Sequence, residues 1–136
     1  MPKQNMTPNF VPPVFMGVGA GAQIFETKTA SFTVTEADSG KIFLIYGATA
    51  AVVVTLPSVG SVFSVHIVNL SDVDCTVQSV IADTLITYAD LTADSAAFAT
   101  SSEKIGGSFW CFGNGTIIAA LARIASSYQN VTVVTA

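Results

Sequence analysis

The sequence predicts an all-β domain, an antiparallel β-sandwich or jelly-roll-like barrel, with an extended N-terminal arm in front of it. Three observations carry this prediction. Apolar and polar residues alternate with period two in most segments of 24–136, as they do in strands with one face on a core. Turn-forming residues recur at roughly 8–12-residue intervals, the spacing of a sandwich or barrel. Val, Ile, Thr and Phe dominate the apolar runs, and these side chains crowd a helix but suit a pleated sheet.

Residues 1–23 differ in composition from the rest of the chain. They carry Pro2, Pro8, Pro12 and Pro13, four of the five prolines, together with Gly17, Gly19 and Gly21. They also carry Phe10, Val11, Val14, Phe15 and Met16. A disordered tail is expected to be polar. Apolar anchors on a proline-stiffened backbone instead predict an arm that docks on a neighbouring molecule. A secretory signal is a weaker reading, because the apolar stretch holds two prolines and only Lys3 precedes it. Residues 24–136 then form one β domain.

Residues 24–30 read as the lead-in to a first strand at 31–35, where Phe32 and Val34 share one face and Ser31, Thr33 and Thr35 the other. Glu36-Ala37-Asp38-Ser39-Gly40 supplies turn chemistry, since Asp and Ser bond local backbone and Gly tolerates a positive φ. The run 41–46 is apolar on both faces, with Phe43 and Ile45 opposite Ile42, Leu44 and Tyr46. A turn at 47–50 precedes the β-branched run 51–56, which stops at Pro57 because proline cannot donate to a ladder. The long run 61–69 sets Phe63, Val65 and Ile67 against Val62, Ser64, His66 and Val68. The expectation for 31–69 is four antiparallel strands with a short turn after each.

Residues 70–74 form a turn and 75–82 a strand with Cys75 and Val77 on one face. A short strand comes next at 83–88, and 90–102 reads as a loop with at most one weak strand. Asn114-Gly115 between apolar runs predicts a hairpin with a two-residue type I′ turn. That turn pairs Cys111 with Ile118 and Trp110 with Ala119. It puts Trp110, Phe112, Ile117 and Ala119 on one face, and Phe109, Cys111, Ile118 and Ala120 on the other. Both faces are apolar, so both are expected to be covered. Residues 123–130 leave the sheet, and 131–135 make a terminal strand that pairs with a neighbouring subunit or closes an edge.

Composition narrows the function classes. The 136 residues include 51% hydrophobic and 10% charged ones, with a net charge of −4 and a mean hydropathy of +0.61; a typical soluble domain is about 25% charged. Five scattered basic residues make no nucleic-acid footprint. The charge-free stretch 42–71 has period two and is broken by Gly47, Pro57 and Gly60, which argues against a membrane-spanning helix. Such a surplus of apolar surface calls for burial against other protein.

The chain offers little chemistry. His66, the one histidine, reads as a partly buried or interfacial side chain rather than a base. Trp110 reads as a core side chain before a sugar platform. Cys75 and Cys111 read as buried free thiols, since neither has a ligand-type spacing. Asp72 and Asp74 lack the Gly-spaced loop of a calcium site and read as a solvated turn. No nucleophile elbow, zinc spacing or phosphate loop occurs. The expectation is a non-enzymatic protein without metal or cofactor. Its candidate subunit interface is Val62, His66, Val68, Trp110 and Phe112.

One resemblance adds to this. Residues 26–44, with Ala37-Asp38-Ser39-Gly40-Lys41 at their turn, lead to Thr55-Leu56-Pro57, to Val68-Asn69, and to Trp110 followed by Gly113-Asn114-Gly115. This succession resembles small virion structural proteins of tailed bacteriophages, of the capsid decoration (cement) type; similar segments occur in tail-fibre and spike proteins. The match departs from the pattern after Leu121 and in the N-terminal arm. The resemblance implies a cement protein on the outer surface of the head, at capsomer junctions, commonly a homotrimer. Its partners would be the major capsid protein and further copies of itself, with no nucleic acid and no membrane. The arm residues Phe10, Val11, Val14, Phe15 and Met16 would lie along the shell. The alternatives are a tail-fibre, spike or other virion attachment module, usually part of a longer chain, and a secreted sugar-binding domain. A start at Met with an arm of its own favours the first reading.

Overall fold

A computed structural model describes residues 24–88, 90–99, 104–124 and 129–135. The arm residues Phe10, Val11, Val14, Phe15 and Met16 lie outside the described residues. In order, the strands are β1 (Ile24–Lys28), β2 (Phe32–Thr33), β3 (Lys41–Ile45), β4 (Val52–Thr55), β5 (Val62–Asn69), β6 (Cys75–Gln78), β7 (Leu85–Thr87), β8 (Asp90–Ala93), β9 (Ser95–Phe98), β10 (Ser108–Asn114), β11 (Ile118–Arg123) and β12 (Thr132–Val134). They form two sheets, in the orders β1-β3-β5-β10-β11-β7-β8 and β12-β9-β6-β4-β2. The all-β sandwich stands.

The direction of pairing in the first half differs from expectation. β1, β3 and β5 run parallel in the first sheet, and β2, β4 and β6 run parallel in the second. Successive strands therefore do not pair with each other. The links at 29–31, 34–40, 46–51, 56–61 and 70–74 carry the chain across the core and back. A parallel pair needs a crossover connection, and here each crossover is a strand of the facing sheet. Both sheets are mixed, with antiparallel pairing where β10 joins β5 in the first and where β9 joins β6 in the second. Two further readings are corrected. Residues 24–28 are an edge strand rather than a lead-in, and 90–98 hold two strands, β8 and β9. The alanines there that read as loop are the small residues facing the core: Ala93 and Ala96 are fully buried.

Alternation decides which side chains enter the core. Phe43 and Ile45 of β3, Phe63, Val65 and Ile67 of β5, and Phe109 and Cys111 of β10 face inward from the first sheet. They meet Val52, Val54, Cys75, Val77, Ala96 and Phe98 from the second. Two tilted aromatic pairs, Phe32 with Phe43 and Phe98 with Phe109, sit with ring centroids 4.8 Å apart. Asn69 is the buried polar hub. Its side-chain amide donates to the carbonyls of Val73 (3.1 Å) and Lys104 (3.2 Å), and its Oδ1 accepts from the Ser71 N–H (3.1 Å). It ties two loops to the end of β5, and its own side-chain polar atoms are thereby paired, as burial requires.

The hairpin forms with a different register. Gly113 pairs with Ile118, Cys111 with Ala120 and Trp110 with Leu121, so four residues separate the paired ends instead of two. Gly115 has φ +95° but Asn114 does not have a positive φ, which rules out type I′. The Asn114 Oδ1 instead accepts from the N–H groups of Thr116 (2.9 Å) and Ile117 (3.0 Å), a side-chain-built turn. A shift of two residues leaves every side chain on its expected face.

Gly113 faces the core against Phe63 and Ile118. A Cβ there would meet the Ser61 carbonyl oxygen and the Ile118 Cδ1 at 2.7 Å. Gly113→Ala is expected to destabilise the domain by about 1–3 kcal/mol through overpacking, read as a lower denaturation midpoint. Cys75 and Cys111 are free and buried. Burial pushes the Cys75 thiol up to about 12; burial, then the neighbouring Cys75, raises that of Cys111 as well. Neither thiol is expected to react with a disulfide reagent at mildly alkaline pH until the protein is unfolded, when both should titrate.

Candidate functional site

The two sheets present different outer faces. On the second sheet the outward positions include Thr33, Thr55, Thr76, Gln78, Ser95 and Thr132. The Gln78 amide donates to the Thr55 hydroxyl across strands at 3.2 Å. This face is built for water. The first sheet is apolar on its outer side as well as its inner one.

The register assembles that apolar face. Phe25 lies opposite Ile42, Ile42 opposite His66, His66 opposite Trp110, and Trp110 opposite Leu121. This single row crosses β1, β3, β5, β10 and β11. A second row runs from Thr27 through Leu44, Val68 and Ser108 to Arg123. Phe112 and Val62 extend the face toward the hairpin end. Phe25 is 66% exposed, Val62 62%, Trp110 44% and Leu121 42%. Ile42, Leu44, His66, Val68 and Phe112 are half-buried by their neighbours.

Trp110 is held in place rather than loose. Its indole N–H donates to the Ser64 hydroxyl at 2.9 Å. The His66 ring lies nearly parallel to it, centroids 6.2 Å apart at 8°, and Phe112 packs on its other flank at 4.6 Å. His66, Ser108, Trp110, Leu121, Ala122 and Arg123 line an open depression of about 230 Å³. An ordered aromatic cluster of this kind offers contact area at little cost in side-chain entropy, as aromatic anchors at interfaces do.

Val62, His66, Val68, Trp110 and Phe112 thus come together on one surface. The reading of Trp110 as a core side chain is corrected: it lies on the outer side of β10, where no second layer covers it among the described residues. Likewise only one face of the hairpin is covered there. Sequence reasoning missed Phe25, Ile42, Leu44 and Leu121. The alternation places Ile42 and Leu44 on one side of their strand, but only the register shows that this side continues the Trp110 face.

The edge strand β1 is charged on its other, core-facing side, where Glu26 lies opposite Phe43 and Lys28 opposite Ile45. Lys41 reaches Glu26 and Asp38, each at 2.8 Å, and Lys28 reaches Glu26 at 2.7 Å. The Lys28 ammonium lies 5.0 Å from the Phe32 ring centroid. Lysines on an edge strand discourage strand addition. Hydrogen bonds from Lys28 and Lys41 lower the Glu26 pKa. For Asp38 burial acts upward, but the hydrogen bonds from Lys41 and from the Thr35 N–H outweigh it and the net direction is down. Hydrogen bonds to Asp38 and Glu26 hold Lys41 well above its usual 10.5. Elsewhere Asp74 is paired with Lys104 at 2.7 Å, and no three His, Cys, Asp or Glu side chains converge on a common point among the described residues.

No protein-family model matches the chain, and no curated protein matches it.

The rim cluster carries a pH dependence. Carboxylates with depressed folded-state pKa values add stability that is complete above their ordinary 4.5 and 3.8, and it is lost as pH falls through the depressed values. Denaturation midpoints are therefore expected to drop in acid below that range. Glu26→Gln should lower the neutral-pH midpoint slightly and narrow the difference between neutral and acid midpoints.

Proposed function

We propose that this chain is a non-enzymatic virion structural protein of a tailed bacteriophage, a capsid decoration protein. In this reading it binds the outer surface of the head at capsomer junctions and reinforces it. One observation carries the reading: the outer face of the seven-stranded sheet is a largely apolar surface centred on Trp110, while the outer face of the other sheet is mostly polar. A single apolar face fits a small protein that is covered on one side by other protein and meets water on the other. The low charge of the chain and the segments that resemble virion modules point the same way. The partners in this reading are the major capsid protein and further copies of the chain, a trimer being the favoured assembly.

Multiple copies make modest contacts sufficient. Each fully buried large apolar side chain contributes about 1.5–3 kcal/mol. Once one subunit of an assembly is seated, the others engage intramolecularly, so avidity grows without new contacts.

The experiment is to strip heads of the protein and add it back. Rebinding to heads, visible as added density at capsomer junctions, supports the reading. Binding to tails alone transfers it to the tail-fibre or spike class, and binding to neither overturns it. Leu121→Ser leaves the inner core untouched, and at about 1.4 kcal/mol per tenfold it is expected to weaken rebinding roughly tenfold to a hundredfold. Thr76→Ser, on the polar face, should have no effect.

A further inference from the structure

We infer that the protein which covers the apolar face seats an acidic side chain, Glu or Asp, in the depression beside Trp110, with its carboxylate on Arg123. This deepens the virion reading and rests on it, because it names the group that the partner brings to the site.

Three polar side chains border the depression: His66, Ser108 and Arg123. Among the described residues, none of the three makes a side-chain hydrogen bond or an ion pair. Other polar groups nearby are engaged: the Ser64 hydroxyl accepts the Trp110 indole N–H, and the Asn114 Oδ1 builds its own turn. In the free protein, water serves the three. A cover removes that water. A guanidinium buried without an acceptor is strongly destabilising, and a hydroxyl or imidazole N–H left bare adds to the penalty. A partner that buries Trp110 and Leu121 therefore has to bring an acceptor for Arg123.

The register places that acceptor. Ser108 pairs with Arg123, and Trp110, two residues on along β10, pairs with Leu121. Ser108 is the smallest side chain in its row, which runs Thr27, Leu44, Val68, Ser108, Arg123, so it forms the floor of the depression. Cβ atoms of opposite residues on antiparallel strands stand about 5 Å apart, and diagonal ones about 7–8 Å. A side chain entering over Ser108 thus has the indole on one side and the guanidinium on the other. The methylenes of a Glu or Asp meet the ring, and its carboxylate takes two parallel N–H···O bonds from the guanidinium fork. The Ser108 hydroxyl donates to the same group. Charge also selects against a second copy as the occupant. Neither row across the face carries a carboxylate. Two copies apposed through this face about a two-fold axis would set Arg123 against apolar side chains or against its own twin.

The test measures rebinding of the full chain and of Arg123→Met to stripped heads. The substitution keeps most of the length of the side chain and removes the fork. Arg123 is exposed, so circular dichroism and the denaturation midpoint should not change. The variant is expected to bind heads about thirtyfold more weakly or worse, as when one partner of a buried charge pair is removed. Arg123→Lys, with the charge but not the fork, should recover part of the loss. Amidating the head carboxylates with a carbodiimide and methylamine should bring the native chain down to the level of Arg123→Met and leave the variant nearly unchanged. If the native chain rebinds and Arg123→Met rebinds equally well, the inference fails and the capsid reading stands. Native binding that survives amidation has the same meaning, because the acceptor is then not a carboxylate. If the native chain binds tails alone, the same comparison on tails decides the matter; if it binds no part of the virion, both readings fall. Self-association of the free chain that Arg123→Met abolishes in sedimentation also overturns the inference, since a second copy then occupies the face.

Discussion

Parallel strands cannot be neighbours without something to carry the chain back, and from β1 to β6 the return path is each time a strand of the facing sheet. That constraint organises the first half of the molecule. β1, β3 and β5 stack in one layer and β2, β4 and β6 in the other, so each layer depends on the other for its connectivity as well as for its core. Except for the edge strand β1, whose inward positions include Glu26 and Lys28, the strands of this winding present an apolar face inward. β3 and β5 go further and are largely apolar outward too, and their pairing in a single layer concentrates that surplus on one surface.

The asymmetry between the outer faces is a consequence of this winding. Outward positions on β4, β6 and β9 are largely Thr, Ser and Gln, and those on β3, β5, β10 and β11 are largely Ile, Leu, Val and aromatic. Water costs little at the first set. At the second, each large side chain left exposed forgoes about 1.5–3 kcal/mol that a covering partner would release. The aromatic cluster at the centre, ordered by the Trp110–Ser64 hydrogen bond, is where a cover would gain most.

Polar groups confine contact to that surface. On the core-facing side of the sheet edge, Glu26, Lys28, Asp38 and Lys41 form an ion cluster beside the exposed strand β1. The 3-10 turn Glu36–Asp38 and its neighbours occupy the flank of β5 beyond the start of β3: the Glu36 carboxylate accepts from the Val62 N–H (2.7 Å), and the Ser39 hydroxyl accepts from the Ser64 N–H (3.0 Å). On the far side, the Asp94 N–H between β8 and β9 donates to the Val134 carbonyl of β12 at 2.7 Å. The edges are paired or charged; the face is left open.

Much of this was legible in the chain. Period-two alternation sorted Phe43, Phe63, Val65, Cys75, Val77, Phe109 and Cys111 by side, because side-chain direction along a strand depends on parity alone. It did not say which side turns inward at 41–46 or in the hairpin, where both are apolar. Gly40 and the Asp38-Ser39 pair marked their turn, and the five proposed interface residues do lie on one surface. Parity says nothing about which strand lies beside which. A link of five or six residues can close a hairpin or cross a core, and the choice rests on long-range packing that no local residue encodes. Hence the parallel winding, the two strands at 90–98, and the four-residue hairpin loop that the Asn114 side chain builds were decided only in three dimensions. So was the apolar face itself: its residues come from five strands, and only their register makes them neighbours.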